Sequence, residues 1–555
     1  MNRTNGRRVA DGIVERLLAH GTRHVFTVAG ESYLDVLDAM VDAGESLSVI
    51  TCRHEAAAAN MAEATAKITG RPGVAFVTRG PGLAHACIGV HTAQQDATPM
   101  VLFVGEIARE DRWRRAFQEV DLTQTFADLA KGVVRIDLAG RTGELVDRAF
   151  QLAASGRPGP VVVGLPEDVL GEPYAAPPGA PAGALLRGVG SEVVDAVAAR
   201  LAAARRPLVW LGGSQWSASG VDAVRRFAEA WDLPVATGFR RKDLFPNRHA
   251  CYAGELGFGA MPSLVQRVRD ADCLLVLGAA LGDVETGGYQ WLDRASTGAR
   301  LVHVHADSQS LSAVFPAQVA VQAPPWALAA GLASRTPPAA AAGGAPWAAW
   351  TRAASADQAA FMLPVPVTGE VTLSQVFRDL RAQMPESALI SNGAGNYAAW
   401  LHRFYSHDAF PTQVAPGSGA MGYAVPAAIA AKLNYPQREV ICVAGDGCFL
   451  MSAQELATAA ALDLRIVFLV VNNGWYGTIR MHQESRFPGR PVATALTNPD
   501  FVALARAYGL GAWRVTATAE FPAALAAARG HPGPALIELV TSIEDISPGK
   551  RLSAR

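Results

Sequence analysis

What the chain has little of narrows its chemistry first. Six cysteines (Cys52, Cys87, Cys251, Cys273, Cys442 and Cys448) are scattered over 555 residues without a C-x-x-C pair. A disulfide framework and a structural zinc site are therefore not expected; buried thiols in a reducing cytosol are. No apolar run reaches the roughly 18 residues a bilayer span requires. The opening MNRTNGRRVADGIVERLL is polar and then amphipathic, and lacks the continuous apolar core of a secretory signal. Charge of one sign is missing too: 49 Lys and Arg stand against 50 Asp and Glu. That balance offers no electrostatic footprint for nucleic acid or an anionic membrane. Charged residues make up 18% of the chain, below the usual ~25%, which fits a well-buried or oligomeric protein.

The length fits roughly three or four compact units, and with half its residues hydrophobic the chain can bury large cores. Two stretches rich in Pro, Gly and Ala read as linkers, residues 171–188 (GEPYAAPPGAPAGALLRG) and 336–346 (TPPAAAAGGAP). They lead us to expect domains at residues 1–170, 189–335 and 365–545. Each segment alternates short apolar runs with longer helical patterns. The runs are VAFVT, MVLFV and VVVG in the first segment, CLLVLG among others in the second, and VICVA and IVFLVV in the third. Continuous apolar runs of this length are strands buried on both faces, as in parallel sheets flanked by helices. The fold class expected is α/β, three doubly wound parallel-sheet domains.

The most informative motif lies in the third segment. The run VICVA leads into Gly445-Asp446-Gly447-Cys448 and then into the helical-looking FLMSAQELATAAAL; IVFLVV ends in Asn472-Asn473-Gly474. Asp446 and Asn473 are 27 residues apart, the length of one crossover helix plus one strand. Adjacent parallel strands would bring both to the carboxyl edge of one sheet, where open α/β sheets bind ligands. The glycines allow close backbone approach, a helix start offers N–H groups to a phosphate, and carboxylate and amide oxygens suit Mg²⁺. In the first segment Glu55 opens the alanine-rich stretch Glu55-Ala56-Ala57-Ala58-Ala59. By itself that pattern fits a surface glutamate or one in an apolar pocket, where desolvation would raise its pKa.

Residues 446–473 resemble the diphosphate-binding motif of thiamine-diphosphate-dependent enzymes. The likeness to acetohydroxyacid (acetolactate) synthase catalytic subunits runs over nearly the whole chain. The resemblance names the three domains pyrimidine-binding, central and diphosphate-binding. It implies thiamine diphosphate with Mg²⁺ held by Asp446, Asn473 and the backbone carbonyl of Trp475, and diphosphate contacts from Gly445, Gly447 and Cys448. Arg53-His54-Glu55 resembles the family's activating helix, which makes Glu55 the partner of a pyrimidine nitrogen. The turn Gly80-Pro81-Gly82 and Gln118 resemble its active-site neighbours. Gly419 and Met421, within Gly417–Gly422, match the stretch whose methionine props the cofactor into a bent shape. Ala394, Gly395 and Asn396 match a second diphosphate contact. The family places Glu55 and Asp446 on different subunits, so a homodimer is the minimum active unit and a homotetramer is expected. The substrates implied are 2-oxo acids or aldehydes, in the cytoplasm, without nucleic-acid or membrane partners.

Departures from the synthases matter as much. His482 stands where they carry the tryptophan that selects the second keto acid, and is a candidate general acid or base; Thr478 stands for a methionine. In the central segment Ala280 and Val284 replace two arginines that help hold FAD, so no FAD is expected. The adjacent histidine pair of pyruvate decarboxylases is missing. Arg79, beside the Gly-Pro-Gly turn, is either a binder of a substrate carboxylate or a surface ion pair. The implied reaction is attack on a keto carbonyl, loss of CO₂, and capture of the carbanion by a proton or a second carbonyl. An aldehyde or acyl-CoA lyase of the benzaldehyde-lyase or oxalyl-CoA-decarboxylase type is the alternative within the cofactor class; a non-catalytic relative is the alternative outside it.

Overall fold

The computed structural model describes residues 6–175, 188–337 and 345–552. Residues 176–187 and 338–344, the hearts of the two expected linkers, lie outside the described residues.

Three six-stranded parallel sheets carry the chain, each flanked by helices. The first holds β1 (His24–Thr27), β2 (Ser48–Thr51), β3 (Gly73–Val77), β4 (Met100–Glu106), β5 (Gly132–Arg135) and β6 (Pro160–Pro166), in the order β2-β1-β3-β4-β6-β5. The second holds β7 (Pro207–Leu211), β8 (Val235–Thr237), β9 (Tyr252–Glu255), β10 (Cys273–Leu277), β11 (Leu301–His305) and β12 (Val319–Gln322), in the order β12-β11-β10-β7-β8-β9. The third holds β13 (Leu389–Asn392), β14 (Gln413–Val414), β15 (Val440–Gly445), β16 (Val467–Asn472), β17 (Gly511–Val515) and β18 (Ala535–Val540), in the order β14-β13-β15-β16-β18-β17. The first and third sheets thus share one topology, and the middle sheet has the order of a dinucleotide-type doubly wound fold. Each sheet has a reversal of winding near its first strand: between β1 and β3, between β7 and β10, and between β13 and β15. Strands such as β3, β4, β10 and β15 are buried along their whole length, as their unbroken apolar runs require.

The first and third sheets are joined by small residues. The helix Glu55–Thr69 packs against Ala424–Asn434, and one apolar core runs through both, with Ala57, Ala58 and Ala62 meeting it from one side and Ala427, Ala428 and Ala431 from the other. Side chains this short let two helices approach closely, which ties the loops at their starts to each other. The segment after the second linker returns to the middle unit: Trp347 is fully buried and donates its indole N–H to the Trp231 carbonyl at 2.9 Å, and Trp350 donates to the Pro207 carbonyl at 3.0 Å. At the first linker Tyr174 docks under Gly12, and its N–H reaches the Arg7 carbonyl at 2.8 Å. The stretch FLMSAQELATAAAL is not one helix. It breaks at Met451 and Ser452 between a short helix Asp446–Leu450 and a later one Leu456–Ala461, where Ser452 leaves the helical region with φ −144° and ψ 16°. No helix among the described residues is long and apolar enough to cross a membrane.

Candidate active site at two sheet edges

The register of the third sheet brings the sequence motif together. Gly445 pairs with Val471 across β15 and β16, so Asp446 and Asn473 leave neighbouring strand ends at one carboxyl edge. Asp446 is buried and opens a helix. Its carboxylate accepts N–H bonds from Gly447 at 2.9 Å, from Gly474 at 2.8 Å and from the Asn498 amide at 2.8 Å. Desolvation raises its pKa and these bonds lower it, with desolvation the larger. These donors are neutral, so its charge is left for a cation to offset, which fits a divalent-metal ligand. Asn473 Oδ1 accepts from the Trp475 N–H at 3.0 Å, and the Trp475 carbonyl accepts from the Gly477 N–H at 2.8 Å; each oxygen retains a lone pair. The buried Oδ1 of Asn498 has no partner among the described residues. Asn472 and Asn498 brace this corner, since Asn498 Nδ2 also reaches Asn472 Oδ1 at 2.9 Å. Sequence reading missed Asn498, which sits in a turn 52 residues from Asp446, with no motif to mark it.

Across the reversal point, β13 ends in Asn392 and the turn Gly393-Ala394-Gly395. Gly395 has φ +142° and caps the helix Asn396–Phe404, a backbone that an L side chain rarely adopts. A Cβ at Gly393 would lie 2.4 Å from the Cys448 sulfur, so the two predicted diphosphate stretches face each other directly. The Gly422 N–H points to the same sulfur at 3.3 Å, which brings the Gly419–Met421 loop to this edge. Thr478 Oγ donates to Asn396 Oδ1 at 2.9 Å from the helix Gly477–Arg486. That helix also carries His482, which is exposed.

The second set of predicted residues gathers at the edge of the first sheet. Glu55 follows β2, begins its helix and is 9% exposed; the surface reading of its alanine-rich context does not hold. His54 caps that helix by accepting the Ala56 N–H at 3.1 Å. Gly80, Pro81 and Gly82 follow β3 and start the next helix, and a Cβ on Gly82 would lie 3.3 Å from Glu55 Oε1. Glu55 Oε2 lies 2.9 Å from His85 Nδ1, a contact that sequence reading missed. Gln118 holds φ +63° on the loop after β4, where its carbonyl accepts the Gly80 N–H at 3.2 Å. It borders a cavity of about 690 Å³ with Trp113, Arg115 and Arg135. Arg79 is taken up by Glu167, at 3.0 Å, and Glu31, at 2.5 Å, so of its two readings the ion pair is the one seen.

A buried polar cluster links the Glu55 helix to the Met421 loop. Lys67 bonds Asp96 and Glu63 and donates to the Ala415 carbonyl at 2.8 Å. Asp96 accepts the N–H groups of Gly417 at 2.8 Å and Ser418 at 3.0 Å, and Tyr423 donates its hydroxyl to Glu63. The middle unit grips the same loop from the other side, where Arg240 reaches the carbonyls of Pro416 and Gly393.

The reversal point of the middle sheet is differently furnished. Glu285 turns its carboxylate inward: Cβ atoms at Gly212 and Gly238 would lie 3.1 and 2.8 Å from Oε1. Oε2 accepts the Leu281 N–H at 3.2 Å, and the N–H groups of Gly282 and Ala280 also hold the carboxylate. A carboxyl group thus occupies the strand-end crevice where a dinucleotide diphosphate would sit.

Comparison with known proteins agrees with this layout. Family models match in chain order: the thiamine pyrophosphate enzyme N-terminal TPP binding domain over residues 7–125, the central domain over 194–332, and the C-terminal TPP binding domain over 393–539. Thiamine pyrophosphate is thiamine diphosphate under its other name. The acetolactate synthase large subunit of Parasynechococcus marenigrum (strain WH8102) is 32% identical over 543 residues, covering 96% of this chain and 87% of the relative. Acetolactate synthase isozyme 2 large subunit of Escherichia coli (strain K12) is 29% identical over 553 residues, covering 97% and 96%. The acetolactate synthase large subunit of Pyropia yezoensis is 28% identical over 557 residues, covering 98% and 94%. With one family domain matched in each of the three sheet-bearing units, the chain belongs to the thiamine pyrophosphate enzymes.

Proposed function

We propose that this chain decarboxylates 2-oxo acids and ligates the product to a second carbonyl, in the manner of an acetolactate synthase. One observation carries the reading: a chain alike to acetolactate synthase large subunits over nearly its whole length has a buried Glu55 at one sheet edge and Asp446 with Asn473 at paired strand ends of another. Bound thiamine diphosphate supplies a nucleophilic carbon and takes up the charge left when CO₂ departs.

The protein's own groups divide the remaining work. Glu55 holds a proton at the pyrimidine, with Gly80, Pro81 and Gly82 closing over it. Asp446, Asn473 and the Trp475 carbonyl hold Mg²⁺. Gly445, Gly447, Cys448, Ala394, Gly395 and Asn396 bring backbone to the diphosphate. Gly419 and Met421 shape the cofactor, and Gln118 and His482 line the substrate side. The units run over residues 1–170, 189–335 and 365–545, and pair as a homodimer at least, with a homotetramer as the expected assembly. On this reading FAD has no place in the middle unit, since Ala280 and Val284 offer no cation and the Glu285 carboxyl fills the crevice. A cytoplasmic location accords with six free cysteines.

The test is product analysis with pyruvate, thiamine diphosphate and Mg²⁺. Acetolactate and CO₂ are expected. Release of neither from a panel of 2-oxo acids would overturn the reading. A second check is Glu55→Gln, which should slow exchange of the C2 proton of bound thiamine diphosphate by about 100-fold or more; an unchanged rate removes the role given to Glu55.

A further inference from the structure

We propose that His85 is a positioning residue for Glu55, holding its carboxyl and passing its proton to solvent. The inference rests on the role proposed for Glu55 and adds a residue that no sequence motif marks.

The geometry gives the two carboxylate oxygens different duties. Oε1 lies on the Gly82 side, where a Cβ would come within 3.3 Å of it, and is the oxygen left for a ligand nitrogen. Oε2 lies 2.9 Å from His85 Nδ1. Glu55 has only 12% of its side chain exposed, whereas 53% of the His85 side chain is exposed. In the single chain the imidazole therefore spans the step from a nearly enclosed acid to the open cleft at the sheet edge. One contact serves both protonation states: Nδ1–H donates to the carboxylate, or protonated Glu55 donates to Nδ1. A proton leaving Glu55 crosses to Nδ1 while Nε2 releases one to water, and the return runs the same way in reverse. Atoms and charge balance with water as the other partner.

The surroundings favour His85 over its neighbour. The His54 ring lies 4.5 Å away at 30°, but its Nδ1 is committed to the Ala56 N–H. Burial, then the nearby His85, pushes its pKa down. The other titratable groups packed about Glu55 are Tyr33 and Cys52, both raised chiefly by burial. Glu455 binds the Arg53 N–H at 2.9 Å behind the helix start. Tyr33 donates to the Val28 carbonyl at 2.6 Å and Cys52 is buried, so neither offers Glu55 a route to water.

Two measurements test this. In the holoprotein, His85→Ala should slow C2-proton exchange of bound thiamine diphosphate by about 10-fold or more, leave cofactor affinity within about 3-fold, and be partly rescued by added imidazole. In the cofactor-free protein, imidazole ¹⁵N shifts should show the His85 proton on Nδ1, moving toward Nε2 in Glu55→Ala. Wild-type exchange in His85→Ala beside slow exchange in Glu55→Gln, absence of imidazole rescue, or an unaltered tautomer in Glu55→Ala would overturn the proposal. Wild-type exchange in Glu55→Gln instead strikes the underlying reading of Glu55.

Discussion

Glu285 shows how one side chain can settle what a crevice accepts. Desolvation pushes its carboxyl from the ordinary 4.5 up to about 7, against three backbone N–H groups that pull it down. An acid whose folded pKa is raised binds its proton more tightly in the native state, so the stability it contributes is complete below pH 4.5 and is lost as pH climbs through 7. The size of the effect is about 3 kcal/mol. Glu285→Gln should remove this slope: urea unfolding of wild type and variant between pH 5 and 8 should show a gap that widens with pH in favour of the variant. Parallel curves would mean that burial does not raise the Glu285 carboxyl above its ordinary range. The residue was also beyond sequence reading. The loss of two arginines is visible in the letters, but the inward turn of Glu285 depends on Gly212 and Gly238, which lie on other strands.

Among the elements, the loop Ala415–Tyr423 owes its placement to distant partners. Lys67 neutralises one of the two buried acids beside it, Glu63 and Asp96, while burial raises the pKa of Glu63. Lys67→Met would strand both acids together, and removal of one partner from such a cluster costs about 3–5 kcal/mol. Denaturant unfolding should show that loss; a variant as stable as wild type would mean the cluster is not buried as described. Asp96→Asn keeps the volume but weakens the grip on Gly417 and Ser418, and should weaken thiamine diphosphate binding by about 10-fold. Central strands such as β4, β10, β15 and β16 were legible from their apolar runs, because burial on both faces leaves no alternation to misread. Short or edge strands such as β5, β12 and β14 were not, since runs of two to four residues, partly exposed in β5 and β12, carry little pattern. Asp446 and Asn473 were legible because a crossover fixes their spacing. Asn498, His85 and Asp96 were not, since each reaches its partner from a separate loop or helix: Asn498 meets Asp446, His85 meets Glu55, and Asp96 meets Gly417 from far along the chain.

At the scale of the whole molecule, the repeated topology of the first and third sheets presents two comparable carboxyl edges, one with an acid for a base-like ring and one with hard oxygens for a metal and phosphates. If the complete site joins edges from two copies of the chain, defects in the two edges should complement. Subunits carrying Glu55→Gln, mixed and reassembled with subunits carrying Asp446→Ala, should recover about a quarter of wild-type turnover, since half the random dimers keep one intact site of two. No recovery in a mixture shown to exchange subunits would place both residues in a single subunit's site. The most direct measurement of the account is calorimetric titration of thiamine diphosphate in the presence of Mg²⁺. We predict saturable binding by the wild type, and binding weakened by 100-fold or so in Asp446→Ala. Undiminished affinity in that variant, or no binding to the wild type, would contradict it.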